Sequence, residues 1–139
     1  MAKVLVIRLS AIGDVAMTVP VIYSAAKANP EDSFTVLTQA FLMPLFMNRP
    51  PNVEVIGINT KGAEKGLIGL LKFISALLKF DFDVILDLHN VIRTIIICTF
   101  FRLNGKRVFV LDKARKERKR LTAIKGKRLY PLRPVIVRY

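Results

Sequence analysis

The sequence predicts an α/β chain built around a parallel sheet, and three observations carry that prediction. Short β-branched runs alternate with longer helix-like segments up to position 111, the pattern of repeated βα units. Two of the runs, Val4–Ile7 and Val84–Leu88, are nearly continuously apolar, as strands buried on both faces are. The first run passes through Arg8 and the turn Leu9-Ser10-Ala11-Ile12-Gly13 to Asp14, a carboxylate at the entrance of an apolar helix-like segment.

Taken in order, the predicted strands cover residues 3–8, 33–38, 53–58, 83–88 and 107–111. Helices are predicted between them over 14–28, 39–47, 64–80 and 90–103. Asn29-Pro30-Glu31-Asp32 ends the first helix, and Arg49-Pro50-Pro51-Asn52 separates the second from the third strand. Pro20 falls inside the first helix and is expected to kink it unless the regular helix begins late. Right-handed crossovers should place helices on both faces of the sheet. Residues 1–111 therefore read as one lobe, and residues 112–139 as a basic tail that is helical or only partly ordered.

Charge separates these two parts. Residues 1–101 carry 9 basic and 8 acidic side chains, whereas residues 102–139 carry 14 basic and 2 acidic, so all but one of the net +13 charges fall in 102–139. Such a tail suits nucleic acid, an anionic membrane surface or a phosphorylated substrate, and charge alone does not choose among them. The hydrophobic content is 53%, but the longest stretch free of Asp, Glu, Lys and Arg spans only 33–48 and contains Pro44. That is too short to cross a bilayer. The apolar run at the N-terminus is too brief for a signal peptide, so a cytoplasmic location is expected. Cys98 is the only cysteine; within Ile95-Ile96-Ile97-Cys98-Thr99-Phe100 it reads as a small buried hydrophobe with no disulfide partner.

In a sheet of this kind ligands gather beyond the C-terminal strand ends, which selects 10–14, 59–65, 89–93 and 112–115. At Ser10, Ala11, Ile12 and Gly13, small residues and free N–H groups let a ligand approach the backbone, although any such fold needs a tight turn there. Asp14 is either the helix N-cap or a proton acceptor for a neutral hydroxyl; no Glu or Gln at position 17 completes a capping box. His89 and Arg93 lie four residues apart, on one helical face if the helix starts promptly. Arg93 then holds a phosphate or carboxylate and His89 donates a hydrogen bond, or the pair is simply a helix start with a solvated arginine. Lys61, Lys65, Lys113 and Arg115 form either a basic rim or ordinary solvated surface. A single histidine, with Asp81, Asp83 and Asp87 along one strand, does not make a metal site, and no metal is assigned. The glycines Gly62, Gly66 and Gly69 fit neither a dinucleotide fingerprint nor a phosphate loop.

The run Lys3-Val4-Leu5-Val6-Ile7-Arg8-Leu9-Ser10-Ala11-Ile12-Gly13-Asp14-Val15, with Thr18 and Pro20, resembles the opening of the bacterial heptosyltransferases, glycosyltransferase family 9. Phe82-Asp83-Val84-Ile85-Leu86-Asp87-Leu88-His89 with Arg93-Thr94 resembles the family's next block. The resemblance implies the N-terminal half of a GT-B enzyme, a Rossmann-like lobe that holds the lipopolysaccharide inner-core acceptor. It further implies Asp14 as the general base of an inverting transfer from ADP-heptose, with residues 10–13 lining the cleft toward the donor diphosphate. His89, Arg93, Lys113 and Arg115 would face the anionic acceptor. No cofactor is implied, since the donor is a substrate expected mainly on a C-terminal lobe, covalent or separate, that this chain does not match. Peripheral contact with the inner membrane follows from a lipid-linked acceptor.

Two other classes compete with that expectation. One is a basic module in which residues 113–128 grip anionic lipid or nucleic acid; aromatic residues for base stacking are missing there, so no specific nucleic acid is expected. The other is a non-catalytic lobe whose uncovered face drives self-association. A second lobe encoded beside this one favours transfer, and salt-dependent nucleic-acid binding favours the basic module.

Overall fold

The computed structural model describes residues 1–62 and 64–111. They form five parallel strands, β1 (Lys3–Ile7), β2 (Ser33–Gln39), β3 (Val53–Ile58), β4 (Val84–Asp87) and β5 (Arg107–Val110), in the spatial order β3-β2-β1-β4-β5. Three α-helices alternate with them: α1 (Ile12–Ala28), α2 (Gly66–Leu78) and α3 (Ile92–Leu103). The tail 112–139, including Lys113 and Arg115, lies outside the described residues.

β1 is central, paired in register with β2 on one side and β4 on the other. Its side chains alternate between two cores. Val4 and Val6 pack with Val15, Ile22 and Ala26 of α1, while Leu5 and Ile7 pack with Leu70, Ile74 and Leu77 of α2 and Ile97 and Phe101 of α3. Helices thus cover both faces, which is why β1 is apolar from Val4 to Ile7. The α1 contacts recur at Val15, Thr18, Ile22 and Ala26, one stripe of a helix. Pro20 lies inside α1, which is regular from Ile12, and both Pro20 and Ala16 are exposed. The carbonyl that loses its donor therefore meets water.

The second predicted helix differs. Residues Ala40–Leu45 form a short 3-10 helix. Pro44 cannot donate to the i−4 carbonyl and crowds it, so an α-helix over 39–47 is not built. The segment instead presses onto β3: a Cβ on Gly57 would stand 2.6 Å from Met43 Sδ and 2.8 Å from Ala40 Cα. α3 also begins later than expected, at Ile92 rather than residue 90. Asn90 at φ 50° turns the chain first, and the Thr94 hydroxyl accepts the Val91 N–H at 3.0 Å. Among the described residues no helix is long and apolar enough to cross a membrane.

Gly57→Ala should therefore destabilise the fold by about 1–3 kcal/mol through overpacking. Gly13→Ala, whose Cβ meets nothing within 4 Å, should stay within about 1 kcal/mol of the parent. Urea unfolding of the two variants separates these outcomes.

Candidate functional site

The sequence order runs outward from β1 in both directions, through β2 and β3 one way and β4 and β5 the other. The crevice beyond the strand ends at β1/β4 is therefore the switch point where open α/β sheets bind ligands. The β1–α1 turn and the β4–α3 turn meet there.

Arg8 follows Ile7, and alternation turns it to the α1 face. Its backbone N–H still donates to the Leu37 carbonyl at 3.0 Å, so the residue extends the ladder. The side chain is buried, with 6% of the residue exposed. Nη1 donates to the Leu88 carbonyl, and Nη2 meets Asp14 Oδ2 at 2.6 Å. Asp14 is not the N-cap. That position is Ala11, which makes no side-chain cap, and Asp14 sits in the first turn of α1. The capping alternative is thereby corrected: the carboxylate faces a buried guanidinium at a helix N-terminus whose dipole also favours it. Breaking a fully buried pair costs about 3–5 kcal/mol. The Asp14 side chain is 35% exposed, so solvent screening lowers the expected cost to about 1–2 kcal/mol.

Across the crevice, Asp87 ends β4 fully buried. Its Oδ1 accepts the backbone N–H groups of His89 and Asn90, each at 2.9 Å. This fixes the turn that presents His89, whose Nε2 lies 3.3 Å from Ser10 Oγ. Ser10 and His89 thereby link the two turns. Asp87 Oδ2 faces the Cys98 thiol at 3.8 Å. Burial first, and then the neighbouring Asp87 carboxylate, push that thiol up to about 12.

Arg93 is placed elsewhere. With α3 starting at Ile92, His89 precedes the helix, so the expected shared helical face does not exist. Arg93 Nη1 donates to the Glu64 carbonyl at 2.9 Å, and Glu64 Oε2 accepts the Asn59 N–H at 2.8 Å. Arg93 thus ties α3 to the β3–α2 loop, beside the exposed Lys61 and Lys65. Ile12 and Gly13 are exposed at the start of α1, next to Asp14. Asp81 and Asp83 stand at the opposite end of the sheet: Lys106 holds the Asp81 carboxyl below its ordinary value, and Asp83 accepts the Lys3 N–H at 2.9 Å. No cluster of three or more His, Cys, Asp or Glu side chains suited to a metal occurs among the described residues.

Sequence reasoning passed over Arg8 and Asp87 as site residues. The available signal was a charge closing an otherwise apolar buried strand, seen in Val4-Leu5-Val6-Ile7-Arg8 and again in Val84-Ile85-Leu86-Asp87.

No protein-family model matches the sequence, and no curated protein matches it significantly. Solved structures do match by fold. A glycosyl transferase of family 9 from Veillonella parvula aligns with TM-score 0.65 and 22% identity, over 82% of this chain and 37% of its own. The Escherichia coli heptosyltransferase WaaC with ADP aligns with TM-score 0.64 and 21% identity, over 98% of this chain and 44% of its own. The fold is that of a lobe of these glycosyltransferases. A transferase from Siraitia grosvenorii in complex with UDP shares it at TM-score 0.62 with only 9% identity, so the architecture is common to proteins of very different sequence. The chain spans less than half the length of each, between 33% and 44%.

Asp14→Asn should lower stability by about 1–2 kcal/mol, because it removes the carboxylate charge that faces the buried Arg8 guanidinium; thermal and urea unfolding check this. Cys98 has the opposite sign of pH dependence to a paired carboxylate. Its thiol stays protonated in the folded chain up to about 12, whereas the unfolded thiol ionises near its ordinary 9.0. The Cys98 contribution is therefore complete below pH 9 and is lost between 9 and 12. Compared with Cys98→Ala, the parent should lose more stability over that range.

Proposed function

We infer that this chain is the acceptor-side, N-terminal lobe of an inverting, heptosyltransferase-like glycosyltransferase, which moves a heptose from ADP-heptose to an anionic inner-core acceptor. The observation that carries the reading is the Asp14 carboxylate, held by buried Arg8 at 2.6 Å yet still a third exposed at the mouth of the switch-point crevice. Inverting transfer needs a base that takes the proton from the attacking hydroxyl as that oxygen reaches the anomeric carbon and the ADP group departs. A carboxylate accepts the proton once, in the transition state, and such catalysis contributes about 10²–10⁴-fold. Arg8 occupies Oδ2 and so leaves Oδ1 to face the hydroxyl. The Ser10 and His89 side chains supply polar groups on the same rim.

Support for the sugar and its carrier comes from the likeness to WaaC, solved with ADP, together with the residue pattern around 10–14. The donor diphosphate faces residues 10–13, and a second lobe holds most of the nucleotide. These 139 residues supply the base and one wall of the cleft. The enzyme works at the cytoplasmic face of the inner membrane, where a lipid-linked acceptor lies.

In the two-lobe enzyme, Asp14→Asn should cut turnover about 10²–10⁴-fold while ADP-heptose binding stays within a few-fold. Turnover is read as ADP release with an inner-core acceptor, and binding by calorimetry. A variant that turns over normally would return Asp14 to a purely structural role.

A further inference from the structure

At the end of the sheet opposite the crevice, α2 stops at Leu78 and the chain returns to β4 through Phe80 and Phe82. A hollow of about 250 Å³ opens there, and its lining includes Lys3, Ser33, Thr35, Glu54, Phe80 and Phe82. Lys3 is in register with Ser33, Leu5 with Thr35, and Thr35 with Glu54. Alternation puts all four polar side chains on the face of Leu5, the α2 side of the sheet. Two aromatic rings make one wall. Phe82 is buried edge-on against Phe101 at 6.2 Å, and Phe80 stacks on Phe82 at 5.8 Å while remaining 48% exposed.

The polar groups of this hollow differ from their neighbours in how they are bonded. Nearby, Asp32 accepts the Ala2 N–H, Asp83 accepts the Lys3 N–H, and Asp81 takes the Lys106 ammonium. The Glu54 carboxylate bonds to none of the described residues, and Lys3 stands near Asp81 without pairing with it. Thr35 is only 7% exposed, yet its hydroxyl makes no hydrogen bond among the described residues. A hydroxyl this buried ordinarily bonds to something, and the hollow is the space that Thr35 lines.

The strand order sets Lys3 on β1 and Glu54 on β3, with the Ser33 and Thr35 hydroxyls on β2 between them. An ammonium and a carboxylate on either side of two hydroxyls, beside an aromatic wall, select a small zwitterion that carries a ring. Glu54 repels a phosphate and Lys3 repels a simple cation. A neutral ring would cover both charges without pairing either, which is costly. The volume also lies below the roughly 300–1,000 Å³ of pockets for drug-sized ligands, which suits a molecule as small as one amino acid.

We propose that this hollow binds a free aromatic α-amino acid, with its carboxylate on Lys3, its ammonium on Glu54 and its ring against Phe80. The site lies at the other end of the sheet from Asp14. The proposal therefore does not rest on glycosyl transfer, and each reading can fail alone.

The test is calorimetric titration of the full chain with L-phenylalanine, which should bind saturably at one site. N-acetyl-L-phenylalanine, without the ammonium, and L-phenylalaninamide, without the carboxylate, should each bind about tenfold more weakly. L-alanine, without the ring, should weaken similarly. Lys3 and Glu54 are exposed, so Lys3→Met and Glu54→Gln should keep the parent's circular dichroism and melting temperature while losing about tenfold in affinity. Thr35→Val should lose about fivefold. Absence of saturable binding by the parent would overturn the proposal, as would equal affinities in the parent and Glu54→Gln. Binding of the N-acetyl anion as tight as that of L-phenylalanine, or tighter, would show attraction to the net +13 chain rather than to this hollow, and would overturn it too.

Discussion

With helices on both faces of the sheet, β1 has no wet side on which to carry a polar group. Val4, Leu5, Val6 and Ile7 are all buried, and each alternation delivers a side chain into one core or the other. In β1 and β4 charged groups enter only at the strand ends. At the C-terminal ends this happens twice, at Arg8 after β1 and at Asp87 closing β4, and these neighbouring strands bound the switch point. The two buried charges are solved differently. Arg8 meets a full opposite charge from α1. Asp87 is satisfied by backbone N–H groups of its own following turn, an arrangement in which the fold supplies the partners without importing a second ion.

That difference has consequences for rigidity. The Asp87 bonds are local and span two or three residues, so the β4–α3 turn is set by its own sequence. The Arg8–Asp14 contact joins a strand end to a helix start, with the Leu88 carbonyl of the neighbouring strand as a third point. Strand, helix and adjacent strand are therefore registered by one guanidinium. Arginine suits this task because its planar fork addresses two acceptors in fixed directions, which a lysine ammonium does not.

The strands were readable in the sequence because burial on both faces forces continuous apolar runs, and 53–58 appears in the structure with the same bounds. The helices were readable as intervals but not in their detail. Nothing in Ala40-Phe41-Leu42-Met43-Pro44-Leu45 shows that Gly57, on a strand elsewhere, gives the segment a surface to lie on; the tightening to a 3-10 helix depends on that contact as well as on Pro44. The start of α3 depends on Asp87 capturing two N–H groups and on Asn90 at positive φ, a turn that helical spacing between His89 and Arg93 conceals. In the candidate site, Asp14 stood out because it follows small residues at a strand exit. Arg8 did not, since a cation at a strand end ordinarily reaches solvent, and only the parallel order that brings Leu88 beside it makes the buried position tenable.

The same geometry explains why one lobe is an incomplete catalyst under the glycosyl-transfer reading. A base gains its effect only when the reacting hydroxyl is held within hydrogen-bond reach and water is kept out. Asp14 lies at the edge of a single sheet with a third of its side chain open to solvent, so its proton acceptor is oriented but not enclosed. Enclosure must come from a surface facing the 10–14 turn. Arg8 can hold the carboxylate in place before that surface arrives, because its contacts with Asp14, the Leu88 carbonyl and the Leu37 carbonyl all lie within this lobe. Under that reading the Asp14 carboxylate is held ready by the fold of one half, and its reactivity is left to the closing of the other.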